Sequence, residues 1–314
     1  MKLSPRFLLA TGLLAASALV AHAKIERSVE KTFTVQAGGK LRLETQGGEI
    51  RVMPGSDGVV KITARERIRA NTDAEADEIL KKLDLDFVQT GNDVTATSKY
   101  ERQPMGFHFG TWPPVQVDFI VTVPASYATE LRTSGGGITV GDLNGKVDAR
   151  TSGGSIKLGK IGAGIDAHTS GGNVSLDGAR GEVKLGTSGG NITVGRVDGP
   201  ASLATSGGSI KIESVVGALN AHTSGGSIRA GVAGPLKDDC VLSTSGGSVH
   251  VVVDKAAAFR LDASTSGGSV DATGLTITLE KSSRDRSRLA GSVNGGGPLL
   301  KLRSSGGSIE VKTM

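Results

Sequence analysis

Gly186-Thr187-Ser188-Gly189-Gly190 spells Gly-x-Ser-x-Gly, the pattern that puts a serine nucleophile on a sharp turn between a strand and a helix. That chemistry needs a helix after the turn, with a histidine and an acid beside the serine. The residues after Gly190 alternate like a strand, and the same serine recurs at fixed intervals along the chain, so Ser188 reads as part of a structural repeat. Past residue 23 the histidines are His108, His168, His222 and His250. His168 and His222 occupy one repeat phase but stand three repeats apart. At about 4.8 Å per strand that separation is too great for one metal ion. Asp148 and Asp166 share another phase, which continues as Lys184, Ser202 and Asn220, so the paired carboxylates of a glycan-cleaving site do not form. Catalytic, cofactor and metal residues are therefore all expected to be none, and the chain is expected not to be an enzyme. One cluster remains. Tyr100, Phe107, Phe109 and Trp112 gather on a segment rich in Pro and Gly, in a chain with only 3% aromatic residues. Such a segment suits a partner-binding patch or a plug on an open core.

The elements that position these residues come from a repeat. Thr-Ser-Gly-Gly begins at Thr133, Thr151, Thr169, Thr187, Thr205, Thr223, Thr244 and Thr265, with Ser304-Ser305-Gly306-Gly307 as a ninth copy. The first five steps are each 18 residues, and the later ones 21, 21 and 39. A fixed period of this length marks a stacked repeat architecture. Five residues after each Thr stands Ile138, Ile156, Val174, Ile192, Ile210, Ile228, Val249 or Val270. Two further on stands Val140, Leu158, Leu176, Val194, Ile212, Ala230, Val251 or Ala272, and the residue between is always polar. Apolar, polar, apolar is a strand with one buried face. A second such strand precedes each Thr, with Val147, Ile165, Val183, Ala201, Leu219, Cys240 and Leu261 in one column. Ala201 is followed by Leu203 and Leu219 by Ala221, which holds the packed volume. Cys240 thus reads as a small core residue. The Gly-Gly pairs are expected at sharp corners with positive φ.

The expected fold is all-β: a parallel β-solenoid of about 18-residue rungs, preceded by a β-rich cap region with one helix. The 47 glycines fit many tight corners. One rung cannot fold alone. Its five or so buried aliphatic groups contribute roughly 2 kcal/mol each, less than the ordering of its backbone costs. Rungs must stack, and the ends of the stack need covers. The expected divisions are a signal peptide over 1–23, a cap domain over 24–130 and the solenoid over 131–314. Thr72-Asp73-Ala74-Glu75 opens the helix, near 73–83, with Ile79, Leu80 and Leu83 on its apolar face.

Lys2 and Arg6, an apolar run over Phe7 to Ala21, and Ala21-His22-Ala23 make the leader a secretory signal peptide. Export to the periplasm or cell surface follows, with no transmembrane span after cleavage. Without Lys2 and Arg6 the formal charge of +5 falls to +3, too little for a nucleic-acid partner. A basic stretch over Lys281 to Arg288 reads as a solvated loop, or as a weak attraction to anionic envelope polymers or headgroups.

The recurrent Thr-Ser-Gly-Gly-x-Ile/Val, preceded by Val121-Thr122-Val123-Pro124-Ala125, resembles the bacterial β-strand-repeat family of putative adhesins, a domain of unknown function. The resemblance covers about residue 33 to 314. It implies a β-solenoid at the cell envelope and supplies no catalytic residues. Its expected role is structural, adhesive or partner-binding through the solenoid surfaces, toward an envelope polymer, a protein or another copy. The rivals are a polysaccharide-acting enzyme on the same scaffold and an envelope stress or signalling component. Cleavage after Ala23 predicts that protein recovered from the envelope begins at Lys24; an intact mass that still contains residues 1–23 would contradict it.

Overall fold

The computed structural model describes residues 24–101, 113–279 and 286–313. The signal peptide lies outside them, as do Phe107, Phe109, Trp112, Lys281 and Arg284. Among the described residues the chain forms two long sheets, of 13 and 14 strands, and one helix. Each rung gives a strand to one sheet, turns through Thr-Ser-Gly-Gly, and gives its next strand to the other sheet. The Thr151 rung, for example, runs through Val147–Arg150 and Ile156–Ile161. Strands of successive rungs pair in parallel with the register the repeat dictates: Ile156 opposite Val174, and Val174 opposite Ile192. The columns from Ile138 to Val249 and from Val147 to Leu261 all face inward and are buried, Cys240 included. The parallel stack of eleven rungs is roughly 48 Å long at the spacing of paired strands.

Each corner is held by its threonine. The Thr151 hydroxyl donates to the Gly136 carbonyl of the preceding rung at 2.8 Å, and accepts the Gly154 N–H of its own rung at 3.3 Å. The same bond to the neighbouring rung is made by Thr133, Thr169, Thr187, Thr205, Thr223, Thr244 and Thr265, and by Ser304 in the variant copy, at 2.6–2.9 Å. Thr45, in a degenerate corner, donates to the Val117 carbonyl at 3.0 Å. These hydroxyls are buried, so both backbone groups they serve would otherwise be desolvated without a partner. A second ladder lies outside the first: the Asn173 carboxamide accepts the Asn191 N–H at 2.8 Å, and the Asn191 carboxamide accepts that of Ser209 at 2.7 Å. Asn173-Val174-Ser175 and Asn191-Ile192-Thr193 have the spelling of glycosylation sequons, but their asparagines are members of this polar ladder.

The corner glycines do not work as expected. None in the Thr-Ser-Gly-Gly copies has a positive φ. The second glycine is required by closeness: a Cβ on Gly190 would lie 2.0 Å from the Gly172 carbonyl oxygen, whereas one on Gly189 would lie 3.5 Å from its nearest neighbour. Left-handed backbone is used at a different bend, where Gly181 has φ 111° and Gly217 has φ 137°.

Spatial order departs from chain order at both ends. The Ser304 rung, Leu299–Ser304 and Ile309–Thr313, is inserted between the Thr244 and Thr265 rungs. The 39-residue step is the excursion that permits this. It includes Ile277–Leu279 and Arg288–Val293, which pair antiparallel. At the other end Lys40–Thr45 and Ile50–Pro54 form a rung between the Thr133 rung and an outermost one made of Asp93–Tyr100 and Val115–Val123. The expected boundary at residue 130 falls inside the strand Ala128–Thr133, and both sheets continue across it.

Antiparallel strands close the N-terminal end. Leu83–Thr90 covers Asp93–Tyr100, Val59–Arg69 covers Val115–Val123, and Lys24–Thr34 lies outside that. Helix α1, Asp73–Leu80, joins the two sheets here, burying Ala76 and packing Ile79 and Leu80 against the core. Thr72 caps it, accepting the Glu75 N–H at 3.2 Å, while Glu75 accepts the Asn71 N–H at 2.8 Å. The helix stops at Leu80 because Leu83 already pairs with Tyr100 in the sheet.

The corner geometry predicts that Gly190→Ala lowers the thermal midpoint sharply while Gly189→Ala is mild. Thr187→Val should cost about 1–3 kcal/mol through the Gly172 C=O and Gly190 N–H it leaves unpaired. Equal midpoints for the two alanine variants would refute the close-approach explanation.

Candidate ligand-binding groove

The serine of the elbow-like sequence sits at a corner between the strands Val183–Thr187 and Ile192–Asp198, with no helix following, and its N–H is spent on the Ser170 carbonyl. His168 lies beside Asp166, Nε2 to Oδ1 3.2 Å, and His222 beside Ser243 at 2.9 Å. Two strands separate the two histidines. Among the described residues no three His, Cys, Asp or Glu side chains converge as metal ligands. The Cys240 thiol is buried, which pushes its pKa up and keeps it protonated and unreactive.

Charge is organised on one outer face instead. The residue three before each Thr gives the column Glu130, Asp148, Asp166, and the residue one before gives Arg132, Arg150, His168. Both columns lie in register across adjacent strands. Like charges stacked one strand apart would repel, so each arginine reaches diagonally to the acids. Arg132 lies 3.2 Å from Glu130 and 3.9 Å from Asp148; Arg150 lies 3.3 Å from Asp148 and 3.0 Å from Asp166. Lys40 and Arg42, one strand further out, also pair with Glu130. The Lys40 ammonium donating to Glu130, with help from Arg132, holds that carboxyl below the usual range against the opposing effect of its burial.

Beside this ladder an open groove of about 680 Å³ runs along the first corners. Lys99, Arg132 and Arg150 supply its cations and Glu44 its carboxylate, with Ser134 and Ser152 along the corner and Tyr100 at one end. Lys99 and Glu44 are 3.8 Å apart. Of the four aromatic candidates, Tyr100 alone is described. It is buried, burial raises its phenol pKa, and its N–H donates to the Gln46 side chain at 2.9 Å. Phe107, Phe109 and Trp112 lie outside the described residues. Sequence reasoning missed Arg132 and Arg150. Their signal was legible: two arginines at one repeat phase, alternating with the acids already noticed at another.

The family model Toastrack DUF4097 matches residues 39–312. The chain belongs to this family. It is the bacterial β-strand-repeat family of putative adhesins that the Thr-Ser-Gly-Gly spacing resembles. No curated protein matches the Toastrack chain. Several solved structures are similar to it, three of them as follows. One described as a putative lipid binding protein from Parabacteroides distasonis ATCC 8503 is 14% identical, covers 90% of this chain and 96% of its own, with a TM-score of 0.43. A putative adhesin from Bacteroides fragilis NCTC 9343 is 11% identical, covers 92% and 97%, and has a TM-score of 0.38. A putative adhesin from the same Parabacteroides strain is 12% identical, covers 91% and 97%, and has a TM-score of 0.36. All three superpose only loosely.

The ladder predicts acid sensitivity. Glu130, with its folded pKa depressed, stabilises the fold above the ordinary value of 4.5, and that contribution is lost as pH falls through the folded value. Glu130→Gln should therefore flatten the fall in thermal midpoint below pH 4.5; an unchanged slope would mean Glu130 adds nothing.

Proposed function

We propose that this Toastrack chain is an exported, non-enzymatic protein of the cell envelope, acting in the periplasm or at the cell surface as a structural or adhesive scaffold that binds a partner along the solenoid surface. The observation that carries this reading is the ion-laddered outer face with its open groove. Its side chains are fixed by the strand register and by mutual pairing, so it presents a rigid polar surface at little further entropic cost on binding. The signal peptide supports export. Among the described residues no helix is long and apolar enough to cross a membrane. The arrangement of acids supports a binding role over an enzymatic one, because Asp148 and Asp166 are each engaged by Arg150. A partner in the envelope, whether polymer or protein, fits a long rigid surface whose charged side chains recur at fixed phases over the first rungs.

The purified mature protein should co-sediment with envelope fractions from its own cells, and a binding-face substitution should weaken that association. Absence of co-sedimentation together with absence of self-association would remove the scaffold reading. Turnover above buffer in a glycan-hydrolysis screen would replace it with an enzymatic one.

A further inference from the structure

We infer that the groove along the first corners binds an acidic glycan, with Arg132 and Arg150 taking the anionic group of the sugar and the corner hydroxyls taking its neutral face. This deepens the proposed envelope role and rests on the partner being a polymer. Three observations converge on it. The groove's cations outnumber its anions, with Lys99, Arg132 and Arg150 against Glu44. The two guanidiniums are anchored from one side by Glu130, Asp148 and Asp166, yet their side chains remain 36% and 40% exposed. An arginine held in this way keeps N–H groups free in a planar fork, the geometry that suits a carboxylate or a comparable oxyanion. Pre-orientation by the acids removes most of the rotamer entropy that binding would otherwise cost.

The remaining lining is what a sugar needs. Ser134 and Ser152 are exposed at one repeat phase on adjacent rungs, so their hydroxyls recur at about the spacing of paired strands. A pyranose advances an extended glycan by nearly the thickness of one rung, so successive sugars meet equivalent groups. The lining holds no large aliphatic side chain, which argues against an acyl chain or an apolar peptide as occupant. Further along the stack the arginine column becomes Gly186 and Ala204, so the recognition is confined to the first rungs.

Calorimetry on the mature protein, with hexagalacturonate as probe and cellohexaose as its neutral counterpart, tests the assignment. Hexagalacturonate should bind, weakening as salt rises, while cellohexaose binds at least tenfold more weakly. The double substitution Arg132→Gln and Arg150→Gln should reduce the affinity tenfold or more, and Arg229→Gln, on the other sheet, should leave it unchanged. If the double variant loses its thermal transition, Lys99→Gln serves in its place, with a severalfold loss expected. No binding of hexagalacturonate, equal binding of cellohexaose, or indifference to the groove substitutions would overturn the proposal. Displacement by inorganic phosphate at equal concentration would do so too, making the groove a general anion site. Wild-type protein that sediments with envelopes but ignores hexagalacturonate defeats this inference alone. Protein that binds the probe but never sediments defeats the envelope reading instead.

Discussion

The structure depends on a hydroxyl placed where two rungs meet. A corner that tight brings backbone against backbone, leaving a carbonyl of one rung and an N–H of the next without room for water. The buried threonine satisfies both at once at the Thr-Ser-Gly-Gly corners from Thr133 to Thr244. Valine has the same shape and would leave both groups unpaired. Serine can serve, as Ser304 does, donating to the Gly247 carbonyl at 2.8 Å. The second glycine follows from the same contact, since a side chain there would occupy the space of the carbonyl that the threonine binds. One interaction therefore fixes two of the four letters of the repeat.

Stacking solves the interior and creates a problem at the ends, where a parallel sheet presents unpaired backbone. At both ends an inner rung is taken out of chain order: the last two strands lie inside the Thr265 rung, and Lys40–Thr45 with Ile50–Pro54 lies inside the rung of Asp93–Tyr100 and Val115–Val123, while the first strand, Lys24–Thr34, stays at the edge. The C-terminal strand Ile309–Thr313 is paired on both edges, with Val249–Val253 and Val270–Thr273. Antiparallel strands and α1 then cover the N-terminal end. Arg27 pairs with Asp73 and Asp77, tying the outermost strand to the helix.

The interior and the exterior of a solenoid answer to different rules. Inward columns must hold volume from rung to rung, so they are uniform and apolar. Outward columns are free to vary, and where they carry charge, the register forces like next to like. The Glu130–Arg132–Asp148–Arg150–Asp166 ladder is the resolution of that conflict by diagonal pairing. Its by-product is a row of guanidiniums held still beside an open groove, which is the arrangement a binding surface requires.

The architecture was legible in the chain because the repeat is local: strand, corner and strand recur within 18 residues, and Ile156, Val174 and Ile192 announce their own register. The helix start at Thr72 and the core position of Cys240 were legible for the same reason. Tertiary structure decided what no local pattern encodes. Spacing alone gave no sign that the Ser304 rung enters between two earlier ones, since every copy of the repeat carries the same inward pattern and fits any position in the stack. Glycine at the corners was readable as a requirement but not as a contact, because the carbonyl that excludes a side chain belongs to another rung. The groove lay further out of reach. Arg132 and Arg150 are ordinary surface residues in sequence, and they become a candidate site only when stacking sets them side by side, pairs them with acids from three rungs, and opens the corner beside them.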